Sequence, residues 1–316
     1  MVQTALFLSL LGLALSFDPS TSNILQNRPR VELHIHLDGS VPVPSLFAIA
    51  TEKEVHIPGI GIPKSTADIW RALDNVTSSW QRFDVVNNII GGDPDSLASV
   101  AEDFVARQAN QGVGYTEVRY DPVRMAKSMY TGKSISEEDA IKAISGGLRK
   151  GAETHGVAVY SLLCAMRGTN ASSCDKECFR KAKEQLGLNT TVHAGEAVRP
   201  HDVLTAVRDM KVDRIGHGYA ATEDAEALKA LKDYGVHLEA CPPGANRHHV
   251  IDAIGVYKEM KLSFGLNEDD PTVYFENCTM DSVEALTREH LSFTDADMRK
   301  AYADAFAARF GPHTPK

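Results

Sequence analysis

Val31-Glu32-Leu33-His34-Ile35-His36-Leu37-Asp38-Gly39-Ser40 is the stretch on which the fold turns. Val31–His36 has the composition of a strand, and residues two apart on a strand point to the same face. His34 and His36 therefore share a face, while Leu33, Ile35 and Leu37 make the other one apolar. On a barrel strand the histidine face is the interior, where two imidazoles can grip one metal ion. A surface strand carrying two histidines is the plainer reading, and the apolar opposite face argues against it. A doubly wound sheet would set a glycine-rich phosphate turn after its first strand, and none follows His36.

The same pattern continues outward. Strands are expected at Tyr115–Tyr120, Val157–Cys164, Thr190–Ala194, Arg214–His217, Val236–Cys241 and Leu262–Asn267. Helical patterns alternate with them at Asp95–Gln111, Ser136–His155, Asp175–Leu186, Asp202–Met210 and Glu223–Tyr234. Asp95 and Ser136 read as N-caps, Gly112 and Gly156 as helix stops. Alternating strands and helices imply a parallel α/β sheet. Polar and chemically capable residues fall at strand C-terminal ends, as in (β/α)8 barrels, which need eight strands over about 250 residues. The fold expected is an α/β, TIM-like (β/α) barrel with seven recognisable strands instead of eight. No repeat or linker interrupts residues 31–316, which form a single domain.

At 316 residues and 43% hydrophobic, the chain can bury a sizeable core. A net charge of −9 without a basic stripe argues against nucleic acid as a partner. Thr4–Phe17 is an apolar run too short to span a bilayer, followed by polar Asp18–Asn23. It reads as a signal peptide over residues 1–16, with 17–30 as an N-terminal extension. The product would then be secreted, or cytoplasmic if the apolar run is instead a buried helix. Asn75, Asn170, Asn189 and Asn277 each begin a glycosylation pattern, in keeping with an exported glycoprotein, although Asn189 lies against an expected core strand. Of five cysteines, Cys174 and Cys178 are the best disulfide pair, and Cys164 and Cys241 read as strand packing. No Cys-x-x-Cys pair exists, which argues against a thiolate zinc site.

Three further segments carry chemistry. His193-Ala194-Gly195-Glu196 offers a third imidazole and a carboxylate just past a strand end. Alone it is weak, since a His–Glu pair is more often on the surface. His217 lies between Gly216 and Gly218, and by itself packing and catalysis are equally good accounts. Asp269-Asp270-Pro271 ends an apolar strand with adjacent carboxylates, whose repulsion calls for a cation or a proton donor unless they simply form a turn.

Together these segments, with Glu117-Val-Arg-Tyr-Asp-Pro122, Leu163-Cys-Ala-Met-Arg167 and Glu239-Ala-Cys-Pro242, resemble the adenosine deaminases of the metal-dependent amidohydrolase superfamily from Arg30 to about Phe310. The resemblance implies a hydrolase of purine and nucleotide metabolism that binds one Zn²⁺ per chain through His34, His36, His193 and Asp269. It implies Glu196 as the acid that protonates purine N1, and His217 as the group that orients and deprotonates the attacking water. Asp270 would hold N7, Asp38 the ribose 5′-hydroxyl, and His36 would also border the substrate. Related adenine deaminases carry Glu where Asp38 stands, so Asp38 points to a nucleoside. The expected reaction is hydrolytic deamination of adenosine and 2′-deoxyadenosine to inosine and ammonia. The cytidine-type zinc deaminases need Pro-Cys-x-x-Cys, which is absent.

The chain departs from the family between Met166-Arg167 and His193, where a further strand, helix and loop are missing. A smaller loss follows Cys241-Pro-Pro-Gly-Ala-Asn246. The strands flanking the first loss would pair directly or leave an open edge. Either way the activity is expected to be reduced, and a catalytically impaired, secreted adenosine-binding homologue is the alternative.

Overall fold

Strands whose residues are buried on both faces must be covered by helices on the outside and must pair along both edges. The computed structural model shows that arrangement. It describes residues 5–8 (as backbone), 27–166, 181, 183–196, 199–243, 247–273 and 278–311. The chain begins with β1 (Ala5–Leu8) and β2 (Arg30–His36). Helices α1 (Val43–Glu52), α2 (Thr66–Asp74), α3 (Ser79–Ile90) and α4 (Pro94–Asn110) lead to β3 (Val113–Tyr120). After a single helical turn come α5 (Glu137–His155), β4 (Ala158–Met166), β5 (Thr190–Ala194) and α6 (Pro200–Leu204). The order is completed by β6 (Arg214–His217), α7 (Ala225–Tyr234), β7 (His237–Ala240), α8 (Arg247–Glu259), β8 (Phe264–Leu266), α9 (Met280–Leu291) and α10 (Asp295–Ala307).

All seven expected strands are present, and those that pair with one another do so in parallel. Their order around the sheet is β2-β3-β4-β1-β5-β6-β7-β8. Beyond β8 the ring closes on β2: Ile35 bridges Asp269, His36 N–H donates to Asp269 O at 3.1 Å, and Asp269 N–H donates to His34 O at 3.0 Å. The closure that completes the barrel thus also seats Asp269 beside His34.

Between β4 and β5 the structure takes neither course open to a seven-strand barrel. Ala5–Leu8, within the segment that reads as a leader, runs antiparallel between them. Ala5 stands opposite Met166 and Leu8 opposite Leu163, while Leu6 to Leu8 face Val192 to Thr190. Backbone N–H and C=O groups at a closed barrel's interior need partners, and a short apolar extended segment supplies them. Because β1 runs against its neighbours, its own C-terminal end lies at the opposite end of the barrel from theirs.

Local details differ from expectation for physical reasons. The N-cap of α4 is Asp93, not Asp95, because Pro94 takes the first helical position and Asp93 accepts from Ser96 N–H at 3.0 Å. The helix expected at Asp202–Met210 is α6 continued by a π-helical turn over Thr205–Asp209. Ser136 caps α5, and Gly156 ends it in the left-handed conformation, as expected. The Cys174–Cys178 pair lies outside the described residues, whereas Cys164 and Cys241 are buried free thiols. No helix among the described residues is long and apolar enough to cross a membrane.

Apolar packing lies outside the barrel. One cluster joins α1–α5 to β2 and β3, including Ile35, Leu46, Ile69, Val86, Phe104 and Val118. Another joins α6–α8 to β5–β8. The barrel interior holds the buried charged side chains Glu117, Arg119, Arg214 and Glu239.

Candidate metal centre and active site

At the C-terminal ends of the strands four imidazoles and a carboxylate converge. His34 and His36 come from β2, His193 from β5, His217 from the end of β6, and Asp269 from just beyond β8. Ring centroids of His34 lie 4.6 Å from both His193 and His217, and 5.7 Å from His36. One ligand atom each from His34, His36, His193 and Asp269 fall within 4.8 Å of one another. His217 (φ 70°) and Asp269 (φ 69°) both sit in the left-handed region that non-glycine residues avoid, a cost that surrounding structure must hold in place.

Two glycines open space for this cluster. A Cβ on Gly216 would lie 2.6 Å from His34 Cε1, so the glycine beside His217 admits a neighbouring ligand ring. A Cβ on Gly39 would lie 1.8 Å from Asp270 Oδ1, so the turn after β2 needs glycine for Asp270 to reach inward.

Protonation can be worked out from the partners. Glu239, on β7, can only accept, and its Oε2 lies 2.7 Å from His34 Nδ1, which therefore carries the proton. Arg119 Nη1 is also close to this imidazole, 3.0 Å from Nδ1 and 3.4 Å from Nε2, and Arg119 Nη2 donates to Glu239 and to Leu33 O. His34 Nε2 then turns a lone pair toward Asp269 Oδ1, 3.2 Å away, with His36 Nε2 at 3.6 Å. Two acceptors facing each other repel unless a positive charge lies between them. Burial, joined by the neighbouring imidazoles, holds His193 well below the usual histidine range, and burial does the same to His36. Burial alone would raise Asp269, yet His34, His217 and His36 around it keep its carboxyl below the ordinary value. Neutral imidazoles and an ionised carboxylate are the forms that ligate a divalent cation.

Beneath the cluster the barrel is filled by an ion network. Glu239 also accepts from Arg214 Nε at 2.8 Å and Thr191 Oγ1 at 2.8 Å. Arg214 Nη2 donates to Glu117 Oε2 at 2.7 Å, and Glu117 accepts from Tyr115 Oη at 2.6 Å. Burial opposes the charge on Glu239, but Arg119 and Arg214 hold its carboxyl well below the usual range. A buried charge set of this kind is tolerable because each member is paired.

Around the rim lie the remaining candidates. Asp270 is buried beside Asp269, and burial reinforced by that neighbouring charge pushes its carboxyl well above the usual range. Asp38 is buried, raised by burial, and held by Asn87 Nδ2 at 2.8 Å. Burial lowers His217, opposed by Glu196. Glu196 is exposed just past β5, near enough to act electrostatically on both His217 and Asp270. Helix α3 leans over this rim, with Phe83 6.1 Å from His36 between ring centroids.

Sequence reasoning missed Arg119, Arg214, Glu239, Asn87 and Phe83 as members of the site. For the first three a signal existed: Glu117 and Arg119 repeat the two-residue spacing of His34 and His36, and charges on strands buried throughout must face each other inside a barrel.

The family model described as Adenosine deaminase matches residues 29–178 and 173–316, two pieces that overlap at 173–178. Adenosine deaminase of Xenopus laevis is 29% identical, over 92% of this chain and 93% of that protein. The Mus musculus enzyme is 27% identical over 92% and 95%. Among solved structures, adenine deaminase from Arthrobacter aurescens superposes with a TM-score of 0.74 at 20% identity, covering 90% of this chain and 94% of that one. An amidohydrolase from Burkholderia ambifaria with bound Zn gives 0.74 at 20% identity, covering 96% and 91%.

Proposed function

The chain belongs to the adenosine deaminase family, and on that premise we propose that it is a zinc-dependent hydrolase converting adenosine and 2′-deoxyadenosine to inosine and ammonia. The observation that carries the proposal is the meeting of His34, His36, His193 and Asp269, with His34 Nε2 and Asp269 Oδ1 3.2 Å apart. That donor set, three nitrogens and one carboxylate oxygen without a thiolate, suits Zn²⁺. When bound there, Zn²⁺ supplies a water whose pKa falls toward ~7, hence hydroxide at neutral pH.

The chain's own groups then divide the work. His217, kept neutral by burial, takes and holds the proton of the attacking water. Glu196, at the exposed side of the cluster, delivers a proton to purine N1 so that the ring can accept negative charge. Asp270, kept protonated by burial and by Asp269, donates a hydrogen bond to N7, a ring nitrogen that can only accept. Asp38, oriented by Asn87, receives the 5′-hydroxyl of the sugar. Phe83 and the α3 helix cover the rim and keep solvent from the charges below.

Because β1 is antiparallel, it does not point its C-terminal end at the catalytic side as its neighbours do, and we infer slower turnover than the ~10⁴–10⁸ M⁻¹s⁻¹ common for kcat/KM. The intact donor set supports an enzyme over a mere adenosine binder. Export through the Thr4–Phe17 run is also proposed; cleavage behind it would remove β1.

The test is to follow the ultraviolet absorbance change from adenosine to inosine with purified protein, before and after dialysis against a zinc chelator, with metal content measured in parallel. Slow, chelator-sensitive conversion with one Zn²⁺ per chain is expected. Protein holding one Zn²⁺ per chain that converts neither nucleoside would overturn the proposal.

A further inference from the structure

Cys241 has no role in the chemistry above, yet it stands in the metal cluster. It lies one residue past β7, fully buried. Its Sγ has a ligand atom from each of His34, His217 and Asp269 around it, all four atoms within 4.8 Å of one another. Among the described residues the thiol donates only a long hydrogen bond, to Glu239 O at 3.8 Å. Asp269 presents a different oxygen to each side: Oδ1 faces His34 and His36, whereas Oδ2 faces His217 Nε2 at 3.9 Å.

We propose that the cluster offers two mutually exclusive coordination sets, and that a thiophilic cation such as Cd²⁺ takes His34, His217, Cys241 and Asp269 in place of His34, His36, His193 and Asp269. The sets share His34 and Asp269. His34 has one nitrogen to give, since Nδ1 is committed to Glu239. Two ions therefore cannot fill both sets at once, and one ion drawn to the thiol side gives up the ligands of the other set. Ligand softness decides between them: thiolate favours soft d¹⁰ ions, and the all-nitrogen-and-oxygen set suits a borderline ion such as Zn²⁺. Binding in the second set converts Cys–SH and M²⁺ to a Cys–S–M linkage and releases one proton to solvent, with no change of oxidation state. It also takes His217 out of proton transfer, so an ion held there inhibits. This regulatory consequence rests on the function proposed for His217, but the coordination itself does not.

The two are separable by experiment. Metal-free protein is titrated with Cd²⁺ while the ultraviolet thiolate-to-metal band is recorded. The band is expected to saturate at one Cd²⁺ per chain in the wild type and to be missing in Cys241→Ser. His36→Gln, outside the second set, is expected to keep the band while losing Zn²⁺ affinity. In the wild type Cd²⁺ should lower deamination ~10²-fold or more, the size of a lost general base, and Cys241→Ser should resist that inhibition. Stoichiometric Cd²⁺ binding to wild type without the band, or an undiminished band in Cys241→Ser, would overturn the proposal whether or not the protein deaminates adenosine.

Discussion

Glu239 Oε2 lies 2.7 Å from His34 Nδ1, and both side chains are wholly buried inside the barrel. A carboxylate behind an imidazole fixes its tautomer and strengthens the nitrogen on the far side, an arrangement whose loss costs other metal sites ~10- to 100-fold in affinity. Glu239→Gln keeps the shape but lets the amide turn either group toward His34. We expect Zn²⁺ affinity, measured by competition with a chromogenic chelator, to fall by that ~10- to 100-fold factor. The substitution also leaves Arg119 and Arg214 short of a counter-charge, so circular dichroism at the assay temperature must confirm the fold. Unchanged affinity in a folded variant would show that Glu239 merely balances the arginines.

Gly39→Ala probes the rim. Its added Cβ would fall 1.8 Å from Asp270 Oδ1, and Gly39 O accepts from Thr272 N–H at 2.8 Å, so neither side yields easily. Asp270 must then move by about an ångström, a displacement that can cost ~10²-fold in rate. The expectation is a kcat/KM at least ~10²-fold lower with Zn²⁺ content intact. Normal kinetics would mean that Asp270 does not touch the purine.

The site was legible where its residues repeat along a strand and illegible where they meet across the fold. His34 and His36 announce themselves because a two-residue period places them on one face of an otherwise apolar strand. Asp269-Asp270 is conspicuous because like charges side by side need a reason. Nothing comparable marks Asn87, which reaches Asp38 from 49 residues away on a helix, or Phe83 beside it. The seven parallel strands were readable from buried β-branched runs, but β1 was not: an apolar run such as Thr4–Phe17 suits a leader as well as a strand. Only the unpaired edges of β4 and β5, set by the rest of the fold, distinguish the two. For the same reason Cys241 looks like a packing residue until the barrel closes around it.

His237 gives the stability a pH dependence of its own. It is buried on β7, its Nδ1 is 2.8 Å from Ser263 Oγ, and burial, helped by Arg214, lowers it to about 3. An unfolded chain binds that proton near pH ~6.5, while the folded chain resists it. Stability from this group is therefore present above pH ~6.5 and is lost as pH falls toward 3, by about 1.4 kcal/mol per pH unit at most. Between pH 7 and 5, before most carboxylates titrate, wild type should lose about 2 kcal/mol more than His237→Gln in urea unfolding. Parallel losses in the two proteins would rule out His237 as the source.

The antiparallel strand β1 yields the sharpest test of how this barrel is completed. Ala5–Leu8 pairs with β4 through four residues and with β5 through three. Removing residues 1–16, as export would, leaves those two edges without partners, and each buried backbone bond lost costs about 1 kcal/mol. For a domain of this size 1 kcal/mol shifts Tm by about 2–4 °C, so the truncated chain should melt roughly 10 °C below the full-length one. Scanning calorimetry of both forms, made without a secretion step, reads this directly. The proposed Zn²⁺ ligands lie on other strands, except His193, which is one residue past the last β5 partner of β1, so metal content at low temperature should survive truncation even as Tm falls. A truncated chain that melts with the full-length protein would mean that β4 and β5 pair directly, tightening the barrel to seven strands. The N-terminal run would then be free to act as a leader at no cost to the fold.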